Sequence, residues 1–262
     1  MKFANCAFIF MWMTCVCVAE QAHEYLRVQG EKVRFFGRLE PSELPALHTE
    51  SVAPKSDLDV THIRKAVFDL VIYGRSADGI LKVSSQATAF AVRAGENVLL
   101  AGSYHALAAD TGEQSQFAIL AKGEDGVWFH VEKFRGFCPK TDFVVMKPSR
   151  VLPVALALAR DAPLPLDTLY TCGRLGRFSG VFRKGEMMAR EESFFLSSLA
   201  AAQGSSGSPV LDKNGLLVGM VTDVVPILRE SGLFSGDHFA EYVITRCRSF
   251  QEAPTTAHPK KQ

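Results

Sequence analysis

Between residues 67 and 221 the apolar positions of this chain recur at the period of a strand, and Gly, Pro, Asn and Asp punctuate the runs. The pattern predicts short strands at 67–73, 81–84, 88–93, 98–100, 117–121, 127–133, 143–147, 169–172, 181–182 with 187–189, 194–196, 209–211 and 216–221. So many strands with almost no helix between them exclude a parallel sheet flanked by helices and leave sandwiches or barrels. Asp125-Gly126 and Asn214-Gly215 are hairpin turns by composition, because both dipeptides favour the left-handed backbone that tight hairpins need. One short helix is expected within 56–65, where Leu58, Val60 and Ile63 follow Ser56-Asp57. Residues 149–166 carry Pro153, Pro163 and Pro165, few charges and no period, and read as a link between two halves of one all-β unit. The chain has no internal repeat.

The ends read differently. Residues 1–19 combine Lys2, an apolar stretch from Cys6 to Val18, and Cys17-Val18-Ala19, whose small residues suit a signal peptidase. The expectation is a secretory signal cleaved after Ala19 and a secreted or periplasmic protein. Glu20 ends the apolar run short of the roughly 20 residues that a membrane-spanning helix needs, so no stable membrane insertion is expected after cleavage. Residues 20–55, broken by Pro41, Pro45 and Pro54, read as an arm or linker outside the main core. Its exception, Val33-Arg34-Phe35-Phe36, reads as a strand or a docking element. The domain proper is placed at 56–248, and 249–262 is read as a disordered polar tail.

With 262 residues, 47% of them hydrophobic and 22% charged, the chain has room for one large domain or two small ones. Its net charge of +1 offers no broad basic face, so nucleic acid is not an expected partner. Cys138, Cys172 and Cys247 remain after the signal; three thiols form at most one intramolecular bridge, and no CxxC pair suggests a zinc ribbon. No HExxH, phosphate-binding loop or dinucleotide fingerprint occurs, so no metal or cofactor is expected.

The chemistry is concentrated in Gln203-Gly204-Ser205-Ser206-Gly207-Ser208-Pro209. A nucleophilic serine needs glycines beside it, so that the chain turns sharply, the Ser206 hydroxyl projects, and the amides of Gly204 and Ser206 can converge on a developing oxyanion. Upstream, the apolar run 98–101 leads through Gly102, Ser103 and Tyr104 to His105, and Asp142 immediately precedes the apolar run 143–146. A strand-end His or Asp alone is ordinary; the order His105, Asp142, Ser206 makes the set specific. An α/β-hydrolase is excluded, since G-x-S-x-G is not satisfied and the chain order would differ. His130 is expected as a cross-strand neighbour, His62 and His238 as surface or capping residues, and His23, His48 and His258 fall in polar segments.

With these residues the segment 67–244 resembles the trypsin-like serine peptidase superfamily, and within it the HtrA (Deg) branch. The likeness is densest over 194–221: an aromatic strand, the small-residue run Ala200-Ala201-Ala202, Gln-Gly-x-Ser-Gly-x-Pro, then an apolar strand, Gly215 and Val218-Gly219. Ala87-Thr88-Ala89-Phe90 falls where that branch has Gly-Ser-Gly-Phe. The resemblance implies two antiparallel six-stranded β-barrels of the chymotrypsin fold with the active site in the cleft between them. It makes Ser206 the nucleophile, His105 the general base and Asp142 its orienting partner. It also implies an oxyanion hole at Gly204 and Ser206, an extended or unfolded polypeptide substrate lying along Met220-Val221-Thr222, and a monomer or small homo-oligomer. Ala200 falls where trypsins carry the acid of the primary pocket, so the expected preference before the cut is for small or aliphatic residues. The chain departs from the pattern in several places. Ala106 stands where digestive enzymes have a cysteine, Gly102 and Ser103 replace a polar pair, Ser208 stands for a glycine, and the branch's PDZ module is not expected after Cys247. The alternative within the same fold is an inactive binding or chaperone-like protein.

Overall fold

The computed structural model describes residues 25–28, 31–35, 50–51, 58–76, 80–108, 114–138, 141–191, 194–227 and 242–250. The expected signal segment and the tail beyond Phe250 lie outside the described residues. Three short strands come first: β1 (Tyr25–Val28), β2 (Glu31–Phe35) and β3 (Glu50–Ser51). The first barrel follows, built from β4 (Val67–Ser76), β5 (Leu81–Ala94), β6 (Asn97–Ser103), β7 (Gln114–Lys122), β8 (Trp128–Cys138) and β9 (Phe143–Pro148). Their order β7-β4-β5-β6-β9-β8, with β8 pairing back to β7, closes the ring. The second sheet holds β10 (Thr168–Leu175), β11 (Phe178–Glu191), β12 (Phe194–Ser197), β13 (Pro209–Leu211), β14 (Leu217–Ile227) and β15 (Tyr242–Ser249). It curls in the order β10-β13-β14-β15-β12-β11, and β10 also pairs with β11, which turns the sheet back on itself. The all-β double barrel expected from the sequence is therefore the observed fold.

Each barrel forms because alternate side chains point inward. One core cluster fills the first barrel with Phe68, Phe90, Leu100, Phe117, Phe134 and Met146, and extends without a break to Tyr170, Leu211 and Met220 of the second. A smaller cluster, with Leu169, Met187, Phe195, Val210 and Val221, fills the second. The 149–166 segment does link the halves. Leu156 donates its amide to Ala91 of the first barrel at 2.9 Å, and Ala159 to Leu217 of the second at 2.9 Å.

Several elements differ from the sequence reading. Residues 81–84 and 88–93 belong to one strand, β5, because the polar run Ser84-Ser85-Gln86 occupies a half-buried stretch instead of a turn. Likewise 181–182 and 187–189 are one strand, β11. Gly185 lies within that strand, where a Cβ would come within 2.7 Å of the Leu199 amide nitrogen. The arm is more than a linker in its described parts: β2 pairs in parallel with β7, and β3 with β11. The expected helix forms as α1 (Val60–Lys65), capped by the Asp59 carboxylate accepting from the His62 amide. Of the residues expected in the polar tail, Ser249 is buried and Phe250 packs against Phe90 and Phe143 of the first barrel, so these two belong with the barrels.

Candidate active site

The first barrel brings two functional side chains together by register. Ser103, the last residue of β6, lies opposite Phe143, the first of β9, so the residues just beyond these strand ends must meet. A five-residue helix, α2 (Tyr104–Ala108), starts there and carries His105 in its first turn. Asp142 sits in the left-handed region at φ 52°, which aspartate tolerates better than most residues. Its carbonyl accepts the Tyr104 amide at 3.2 Å and its Oδ1 the His105 amide at 2.7 Å. Its Oδ2 accepts the His105 Nδ1–H at 2.7 Å and the Ser103 hydroxyl at 2.8 Å. With Nδ1 as donor to an acceptor-only carboxylate, Nε2 is the unprotonated nitrogen. It lies 2.9 Å from the Ser206 hydroxyl, which donates to it.

Ser206 comes from the second barrel, on the loop between β12 and β13. Gly204 and Gly207 adopt φ 88° and 83°, a conformation in which a side chain is strained. Space enforces the same choice: a Cβ on Gly207 would run into the Thr88 carbonyl, and one on Gly204 into the Arg174 side chain. The loop's amides alternate in their use. Ser205, Gly207 and Ser208 donate to Ala202, Val221 and Ser205 respectively. Among the described residues the Gly204 and Ser206 amides have no protein acceptor. The carbonyls of these two residues turn inward, to Thr88 Oγ1 at 3.0 Å and the Thr88 amide at 2.9 Å. Two neighbouring amides are thus left uncommitted beside a hydroxyl that faces an imidazole.

The electrostatics shift His105 toward the imidazolium. Burial pulls its pKa down, but the hydrogen bond that its Nδ1–H donates to Asp142, the charge of Asp142, and the charge of Asp223 outweigh this and hold it above the ordinary 6.5.

Against known families, residues 87–220 match the trypsin-like peptidase domain. The chain belongs to the trypsin-like peptidase family. No curated protein matches it. In this peptidase domain the double barrel is the chymotrypsin-like one, and the matched segment runs from β5 to β14.

The remaining residues singled out from the sequence fall as follows. Ala200 precedes the loop that carries Ser206, and its carbonyl accepts Arg183 Nη1 at 2.6 Å. Met220 and Val221 are buried, and their backbones are already engaged: Met220 pairs with Pro209, while Val221 accepts from the Gly207 amide and donates to Ser208. That corrects the expected substrate strand, because these two residues cannot also offer the same edge to a polypeptide. Thr222 stands at the point where β14 leaves this pairing. Ser208, in place of the usual glycine, fits because Gly173 lies against its Oγ and has no Cβ to contest the space. Cys138, Cys172 and Cys247 are buried free thiols. His130 lies opposite Leu120, a cross-strand neighbour as expected.

Four residues have contacts at the site that the sequence reading did not assign: Thr88 and Ser103, noted there only for their place in the family pattern, and Asp223 and Arg183. Their contacts come from what the folded elements bring beside them. Ser103, which departs from the family pattern, lies 2.7 Å from His105 Nδ1 and braces Asp142.

Proposed function

We propose that the protein is an exported serine endopeptidase of the HtrA-like kind that hydrolyses extended or unfolded polypeptides. The observation that carries the proposal is the continuous chain from Ser206 Oγ to His105 Nε2 and from His105 Nδ1 to Asp142, ending beside two uncommitted amides. In this reading Ser206 attacks the scissile carbonyl, and His105 takes its proton and later delivers it to the leaving amine. Asp142 fixes the tautomer and stabilises the imidazolium. Gly204 and Ser206 amides receive the oxyanion, where one donor typically lowers the barrier by about 2.7 to 4 kcal/mol. The substrate chain then pairs with β14 from Thr222 onward. Export rests on the residue 1–19 pattern, and the secreted protein should begin at Glu20 by N-terminal sequencing.

The test is labelling by a small fluorophosphonate. The wild type should react and Ser206→Ala should not, with turnover of a peptide substrate falling on the order of a million-fold. If the wild type labels no better than the variant, the fold serves as a binding or chaperone-like scaffold instead.

A further inference from the structure

Two arginines are buried in the second barrel, and they are treated differently. Arg174 faces a carboxylate, Asp69, at 3.3 Å. Arg183 of β11 is 7% exposed and has none among the described residues. Its Nη1 donates to the Ala200 carbonyl at 2.6 Å and to Ser205 Oγ at 3.0 Å. Its Nε and Nη2 are buried without a hydrogen-bond partner, as is the Oγ1 of Thr171, directly across the β10–β11 pair. The charges nearest to it are potential ones, the thiols of Cys172 and Cys247, but burial pushes both up to about 12, so they are neutral at physiological pH. The guanidinium itself is pulled down to about 10 by burial and still carries its proton there. A buried cation with two idle donors and no anion is strongly unfavourable unless one arrives.

Its position says which anion. Arg183 backs the 200–205 loop, one residue from Ser206, and stands opposite Thr171 of β10. In the proposed reaction His105 must reach the leaving amine, so the leaving part of the substrate lies toward the first barrel. The acyl residue then lies against the 200–205 loop and β14, with its side chain directed into the second barrel.

We infer that Arg183 forms the floor of the primary specificity pocket and selects a carboxylate side chain, Glu or Asp, immediately before the scissile bond. This deepens the serine peptidase reading and rests on it. It also replaces the expectation of small or aliphatic residues, which considered Ala200 without the arginine behind it.

The test is the rate at which the full-length protein is inactivated by peptidyl diphenyl phosphonates that differ only in their first residue: Glu, Asp, Ala, Val or Lys. The wild type should react with the better acidic probe at least about ten-fold faster than with Ala or Val, since a charge-assisted bond replaces a desolvated donor. Arg183→Met should erase that preference, and Arg183→Lys should retain part of it. If fluorophosphonate labels Ser206 but the acidic probes are no faster than Ala, Arg183 only braces the loop and the pocket assignment fails alone. If fluorophosphonate does not label Ser206, the serine peptidase reading fails and the pocket falls with it.

Discussion

At the scale of single residues, the site balances two demands on His105. On the proposed reading the imidazole must be neutral to accept the Ser206 proton, yet Asp142 and Asp223 together hold its pKa above 6.5 despite burial. A raised histidine pKa stabilises the folded state fully below the unfolded value, and that contribution is lost as pH rises through the folded one. On that reading Ser206 is expected to be most reactive where this stabilisation has been given up. Fluorophosphonate labelling should increase with pH through a midpoint above 6.5, and Asp223→Asn, which removes a raising charge outside the hydrogen-bonded set, should move the midpoint toward acid. An unmoved or higher midpoint in that variant would count against the assignment. Ser103→Ala should slow labelling by about ten-fold or less, the effect of one hydrogen bond to a charged acceptor, with Ser206 still reactive. The three residues of the chain Ser206–His105–Asp142 were legible in the sequence because the chemistry demands those residue types in that setting. Ser103, Thr88 and Arg183 were not, because a serine, a threonine and a strand arginine acquire meaning only from the atoms they meet.

At the scale of elements, β5 acts as a template for the loop that carries Ser206. Thr88 gives its amide to the Ser206 carbonyl and its hydroxyl to the Gly204 carbonyl, while Thr88 Oγ1 accepts the Arg174 amide at 2.9 Å. One residue of the first barrel thereby holds two segments of the second. Gly207→Ala should lift the loop from β5, since a Cβ would collide with the Thr88 carbonyl at a φ that strains alanine. The expected outcome is loss of labelling together with a stability deficit of about 1–3 kcal/mol in urea unfolding. Gly173→Ala should cost about as much by overpacking. Adding Ser208→Gly should recover part of that loss and not all of it, because Thr88 also lies within 2.8 Å of the new Cβ. The strands themselves were mostly legible from alternation. β5 and β11 each read as two runs in the sequence because polar stretches, Ser84-Ser85-Gln86 in one and Arg183-Lys184 in the other, interrupt the apolar alternation. β15 does not stand out in the sequence, since Arg246 and Arg248 flank its Cys247, yet Cys247 is fully buried. α2 is too short for any helical period to show.

At the scale of the whole molecule, the two barrels must hold His105 and Ser206 within hydrogen-bond reach, and part of their seam is ionic. Asp69 of β4 faces Arg174 of β10, and Ser179 of β11 donates to the same carboxylate at 2.5 Å. Arg174 also donates from Nη1 to the Gly176 carbonyl, and its stem lies beneath Gly204, so the pair underlies the proposed oxyanion loop. Burial raises the Asp69 pKa above its ordinary 3.8, and the opposing effects of Arg174, Ser179 and Lys122 do not fully cancel this. The native state therefore holds a proton on Asp69 more readily than the unfolded chain does. By linkage, this group's contribution is greatest below 3.8 and diminishes as pH rises through the raised value. Removing either partner should cost about 3–5 kcal/mol near neutral pH, because the other is left buried and uncompensated. The two losses must then diverge on acidification. In Arg174→Met the stranded carboxyl, pushed up further, takes a proton, so the deficit relative to wild type narrows. In Asp69→Asn the stranded guanidinium cannot shed its charge in that range, while the wild type gains from protonating Asp69, so the deficit widens. Urea unfolding of the three proteins between neutral pH and about pH 4 reads both slopes at once. Parallel deficits across that range would show that the seam draws nothing from this pair beyond its packing.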